Sequence, residues 1–170
     1  MSGLTVYEAS VPVFVAALGN MKVWLAKVAD REAELMTAAL APDMAAFPRQ
    51  YQMASDTAKN ALARLTGTEA PAMPDTEASF VELVERCDRT IDYLQSFGPE
   101  ALTGAETRDV EMRFPNGVGF RWSGSVFLTG FALPNFFFHV TTAYAILRHK
   151  GVALGKPDFL QHLGRPNLSA

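Results

Sequence analysis

Trp122-Ser123-Gly124-Ser125-Val126-Phe127-Leu128-Thr129-Gly130-Phe131-Ala132-Leu133-Pro134-Asn135-Phe136-Phe137-Phe138-His139-Val140-Thr141-Thr142-Ala143-Tyr144-Ala145-Ile146-Leu147 contains no Asp, Glu, Lys or Arg. By length alone such a run, coiled as a helix, crosses ~30 Å of hydrocarbon. Its polar side chains argue for a different setting. Ser123, Thr129, Asn135, His139, Thr141 and Thr142 are scattered along it, and facing helices satisfy such groups where lipid does not. The run is therefore expected to be the interior rod of a water-soluble helix bundle, with no membrane partner. Ser123 is its expected cap, and Pro134 should kink it or mark a loosened turn. Gly151 is its stop, after Arg148, His149 and Lys150 in a last turn where cations suit the helix dipole.

Upstream, Val110, Met112 and Phe114 alternate with charged residues, and Val118, Phe120 and Trp122 alternate again after Pro115-Asn116-Gly117. Alternation on both sides of Asn-Gly is a hairpin signal, predicted as 109–114 paired with 118–122. A lone hairpin is marginal in water, so it must lie against the bundle. Three further helices are expected. The first runs from near Thr5 to about Ala29 on the seam Val11, Phe14, Leu18, Met21, Leu25 and Val28, with Pro12 bending it or placing its start just before that residue. The second begins at Pro48 and stops at Gly67, with Tyr51, Ala54, Ala58, Ala61, Leu62 and Leu65 inward. The third is capped by Asp75 or Thr76 and reaches about Ser96. Its inward stripe is Phe80, Leu83, Val84, Cys87, Ile91 and Leu94, and Glu82, Glu85, Arg86, Asp88, Arg89 and Asp92 read as its solvated face. Gly155, Pro157 and Pro166 punctuate a tail over 152–170, with a docked turn at Phe159-Leu160.

The 170 residues suit one domain, 49% of them hydrophobic and 19% charged, which is apolar mass enough for a core. A net charge of -3 argues against nucleic acid as a partner. One cysteine, Cys87, forms neither an internal disulfide nor a cysteine metal cluster. The N-terminus lacks a basic leader segment, and a cytoplasmic location is expected.

Chemistry has few places to sit. Asn135 and His139 are four apart, one above the other on the same helix face. Thr142 lies three beyond His139. On the second helix Gln52 and Asp56, also four apart, interrupt the alanine stripe, and a carboxylate beside an imidazole would orient it and raise its basicity. The constellation Gln52, Asp56, Asn135, His139 and Thr142 has three readings at this level. It is a core histidine satisfied by hydrogen bonds, a pocket for a small polar ligand, or a site for a weakly bound divalent metal on His139. As a catalyst it would use His139 as acid/base and Asp56 as its orienter. No Walker loop, dinucleotide fingerprint, nucleophile elbow or H-E-x-x-H stretch is present.

Five stretches together resemble the DUF1993 family, a branch of the DinB/YfiT-like superfamily. They are Tyr7-Glu8-Ala9-Ser10-Val11-Pro12-Val13-Phe14, Leu40-Ala41-Pro42-Asp43-Met44, Ala54-Ser55-Asp56-Thr57-Ala58-Lys59, the run from Ala132 to His149, and Gly155-Lys156-Pro157-Asp158-Phe159-Leu160. The resemblance implies an all-α, up-down-down-up four-helix bundle with the small β-hairpin before the last long helix. Many such relatives hold a divalent metal on three histidines, one from the second helix and two spaced by four on the last. Some are thiol-dependent transferases or isomerases, and relatives are often homodimers, which an aromatic last helix would permit. Here His139 matches the second of the spaced pair and Asn135 stands at the first. The second helix offers Gln52 or Asp56 and no histidine, so the resemblance implies either no cofactor or a degenerate, weakly held metal.

Overall fold

The computed structural model describes residues 3–114 and 116–164. Four long helices form the bundle: α1 (Val11–Ala26), α2 (Phe47–Thr66), α3 (Phe80–Gln95) and α4 (Gly124–His149). Contacts fix their directions. Phe14 meets Phe136 and Trp24 meets Tyr144, so α1 and α4 run parallel. Phe47 meets Phe80 and Asp56 meets Arg86, so α2 and α3 also run parallel. Gln50 meets His139 while Thr57 meets Asn135, so α2 and α4 are antiparallel. The result is the up-down-down-up order.

Two parallel consecutive helices need a return segment. Extended, residues 67–79 reach about 40 Å, more than the roughly 30 Å length of a helix like α2. The segment runs back along the groove between α2 and α3. Midway, the Met73 sulfur lies against the hydroxyls of Ser55 and Thr90, which bond to each other at 2.6 Å.

Helix ends follow local chemistry. Pro48 falls in the first turn of α2, and Gly67 closes it in the left-handed region at φ 75°, a conformation that glycine adopts without a Cβ penalty. Pro12 likewise sits in the first turn of α1, which starts at Val11 rather than near Thr5. Residues 6–10 form turns ahead of it. The cap of α3 is Ser79, which accepts from the Glu82 amide, and not Asp75 or Thr76. The Asp75 carboxylate is taken by Arg49 and Arg86. Ser123 does occupy the cap position before Gly124, without a side-chain cap bond.

The hairpin pairs β1 (Asp109–Arg113) with β2 (Gly119–Ser123), Val110 opposite Trp122 and Met112 opposite Phe120. Its turn has Gly117 at φ 84° and the Val118 amide donating to the Asn116 side chain; Pro115 lies outside the described residues. Val110 is buried, and Trp122 stacks against Phe131 and lies tilted over Phe127 of α4. That contact supplies the support a two-stranded ribbon lacks by itself.

Pro134 has the predicted effect on α4. Leu128–Ala132 opens into a π-turn, with the Leu133 amide bonding to the Leu128 carbonyl. A proline ring collides with the carbonyl four residues earlier in a regular helix, and the wider turn relieves that collision. Beyond α4 the Lys156–Phe159 turn docks on α1. Trp24 donates to the Asp158 carbonyl at 3.0 Å, and the buried Asn20 amide donates to the Phe159 carbonyl at 2.7 Å. His162, though exposed, receives the same amide at Nδ1. Pro166 lies outside the described residues. Phe14, Leu18, Trp24, Tyr51, Leu62, Leu83, Phe136 and Ile146 are central to the core, all fully buried.

Candidate functional site

The expected constellation separates into two groups. His139 and Asn135 share one face of α4 as the spacing predicts, and that face meets α2, but their partners differ from the expected ones. His139 Nδ1 lies 2.9 Å from Gln50 Oε1, and Asn135 donates to Thr57 Oγ1 at 2.7 Å. Gln50, fully buried, therefore takes the orienting place expected of Asp56. It is four residues before Ala54, so extending the alanine stripe back by one turn reaches it.

The Gln50 contact determines the state of the imidazole. The Gln50 side-chain nitrogen donates to the Ala45 carbonyl at 2.7 Å, which turns its oxygen toward His139. An amide oxygen only accepts, so His139 must carry its proton on Nδ1. Nε2 is then a bare lone pair with no partner among the described residues. Burial, and secondarily the positive charge of Arg49, hold the His139 pKa below the usual histidine range, which keeps the ring neutral.

Asp56 and Gln52 belong to a second cluster, centred on a residue that the helical pattern assigned to the solvated face. Arg86 is fully buried. It pairs with Glu77 at 2.8 Å, Asp56 at 2.7 Å and Asp75 at 3.0 Å, and donates to the Pro74 carbonyl at 3.2 Å. Lys59 adds a second cation on Asp56 at 3.1 Å. Gln52 donates to Glu77 at 2.9 Å and accepts from Arg49 at 3.0 Å. Burial alone would raise the Glu77 carboxyl, yet the hydrogen bonds from Arg86 and Gln52 outweigh it and bring its pKa below the ordinary value. This network ties the 67–79 return segment to α2 and α3. Thr142 donates to the Phe138 carbonyl one turn back at 2.7 Å and stays out of both clusters.

A cavity of about 330 Å³ lies between α2 and α4. Thr57, Asn60 and Arg64 line it from α2, with Asp56 at its edge; Phe127, Phe131, Asn135 and His139 line it from α4, and Met112 from the hairpin. In a regular helix each step of four drifts by about 40°, so 127 and 139 would diverge by about 120°. The π-turn absorbs part of that drift and brings the four α4 residues to one wall. A larger hollow of about 650 Å³ beside the N-terminal turns holds no histidine, cysteine, lysine or arginine.

The DUF1993 model, described as a domain of unknown function, matches residues 6–160. The chain belongs to the DUF1993 family. The crystal structure of a DinB family member protein from Shewanella denitrificans is similar to this DUF1993 chain, with 35% identity, a TM-score of 0.84, and coverage of 97% of this chain and 95% of that one. No curated protein matches. The three-histidine metal of DinB-like relatives does not fit the residues present. Among the described residues no three His, Cys, Asp or Glu side chains gather as a metal would need, and an amide, Gln50, occupies the α2 position facing His139. Cys87 is buried, and burial pushes its thiol up to about 12, so this DUF1993 chain presents no thiolate of its own.

The depressed His139 pKa has a definite linkage sign. Just below the ordinary histidine pKa of about 6.5 the unfolded chain binds a proton at this position and the folded chain does not. Stability from the neutral ring is complete above that value and falls as pH drops through it toward the folded pKa. The melting temperature is expected to decline between roughly pH 7 and 5, and to decline less steeply in His139→Gln. Thermal melts across that range check this, and equal slopes in both proteins would contradict it.

Proposed function

We propose that the α2–α4 cleft binds a small polar molecule, with His139 Nε2 as its principal acceptor. One observation carries this reading: Gln50 fixes the tautomer of a neutral, nearly buried imidazole so that its open nitrogen is left on the wall of a cavity. A structural histidine in a core has both nitrogens satisfied; here one is unpartnered among the described residues. Asn135, Thr57 and Asn60 supply further donors and acceptors, and Phe127, Phe131 and Met112 an apolar wall. Polar groups on one side and an apolar wall on the other offer a small molecule with both a polar and an apolar part its two kinds of contact. Used catalytically, Nε2 would act as a general base toward a bound O–H or N–H.

The test is a shift-mapping experiment on the full chain with small neutral amides, alcohols, amines and carboxylates. Hits should concentrate on Thr57, Asn60, Asn135 and His139. Hits spread evenly over the surface, or gathered at the N-terminal hollow, would overturn the reading. Elemental analysis of untagged protein should find no stoichiometric divalent metal.

A second reading, a binding protein that works as a homodimer, is favoured by the outer face of α4. Phe138 is 55% and Val126 51% exposed, on an uncharged strip with Gly130, Pro134 and Thr141. Exposed large apolar groups on one face mark contact surfaces, and a symmetric self-contact is the commonest assembly. Phe138→Glu should convert a dimer to a monomer in light scattering, and a monomeric parent protein would reject this reading.

A further inference from the structure

We infer that the ligand of this cleft is a small organic monocarboxylate, held by Arg64 at the hairpin end and carrying a hydrogen-bond donor toward His139 at the other. This rests on the cleft reading above and goes beyond it by fixing the ligand's charge and polarity.

Arg64 is the one Lys or Arg among the described residues that line the cleft. Arg49 and Arg86 are each paired with carboxylates. Arg64, half-buried on α2, has none within 4.0 Å among the described residues, and its side chain bonds only to the Asn60 carbonyl, at 3.3 Å. That bond points back along the helix, away from the free carbonyls at its C-terminal end, so the side chain is not capping α2. A guanidinium withdrawn from water without a counter-charge is costly, and a carboxylate arriving from outside would supply one in the two-pronged geometry guanidinium favours.

The cleft gives this anion a direction. Thr57, Asn60 and Arg64 follow one another by three and four on α2, about 10 Å of helix from first to last. Because α4 is antiparallel, Arg64 lies level with Phe127 and Phe131, and His139 lies beyond Thr57 and Asn135. A carboxylate on Arg64 places the body of the ligand against the aromatic wall and its far end at Nε2, which accepts a proton donor and not another acceptor. The bare lone pair of Nε2 likewise repels a second carboxylate at that end, which would bring only acceptor oxygens. The arrangement thus selects a monoanion over a dianion.

The experiment compares 4-hydroxyphenylacetate with its neutral amide and with the dianion 4-carboxyphenylacetate. Each is titrated into the full chain while the Arg64 side-chain and His139 ring nitrogen signals are followed. The expected result is that the hydroxy acid shifts both signals, and that its affinity falls about tenfold or more, the loss of a charge-assisted pair, in an Arg64→Gln protein that melts no lower than the parent. Amide and dianion should bind correspondingly weaker to the parent protein. Equal binding of acid and amide, or no loss in Arg64→Gln, overturns the monocarboxylate assignment and leaves the cleft reading standing. Failure of all three probes to move any cleft signal overturns both.

Discussion

Arg86→Met is expected to cost about 3–5 kcal/mol of folding stability, the range found when one partner of a buried ion pair is removed. The substitution keeps most of the apolar stem but withdraws the cation. Glu77, whose side chain is 4% exposed, is left charged beside Asp56 and Asp75 with no compensation from Arg86. The damage is directional, because the carboxylates come from the 67–79 return segment and from α2. That segment should loosen first, exposing its amides to hydrogen exchange before the rest of the bundle. A second substitution, Glu77→Gln in the Arg86→Met background, should recover part of the loss, since it removes the stranded charge. Chemical denaturation of the four proteins of this cycle measures the coupling directly. A loss under about 1 kcal/mol for Arg86→Met, the range of an exposed pair, would mean the network is peripheral.

Gly124→Ala is expected to be nearly as damaging although it adds one carbon. An added Cβ would fall 1.8 Å from the Ala105 carbonyl oxygen and 3.0 Å from Leu65 Cδ2. The first is a backbone atom of the turn beneath the start of α4 and has no rotamer through which to retreat. Either the Ala105–Thr107 turn or the first turn of α4 must move, and both carry the hairpin. Overpacking of this kind costs about 1–3 kcal/mol, occasionally more. Gly130→Ala is the matched control: its Cβ would meet nothing within 4 Å, and replacing a helical glycine by alanine favours the helix. Thermal melts of both variants should therefore move in opposite directions, and a neutral Gly124→Ala would contradict the close contact.

The contrast between these residues shows what was legible in the sequence. Elements governed by their own neighbours could be read: the ends of α2 at Pro48 and Gly67, the hairpin around Asn116-Gly117, and the loosened turn ahead of Pro134. The relative directions of the helices followed from family resemblance and not from periodicity, because nothing local to α2 or α3 says that they run parallel. The Arg86 network was missed for the same reason. Three residues after Leu83 and four before Thr90, Arg86 lies within the buried arc of α3, but its charge argued for water, and only carboxylates brought in from other segments reverse that. His139 and Asn135 were placed on the correct helix face by spacing alone. Their partners were not, because Gln50 and Thr57 had to be chosen from several polar residues on α2 by the depth at which two helices cross. Gly124 is one small residue in a long apolar run, while its requirement comes from a turn about twenty residues earlier.

The ring nitrogens of His139 are the most direct test of the site. Nitrogen-15 NMR of the histidine side chains near neutral pH should show His139 as a neutral ring with its proton on Nδ1 and a bare Nε2. A proton on Nε2, or a doubly protonated ring, would mean that Gln50 does not hold the imidazole as described, and the ligand site built on it would fail.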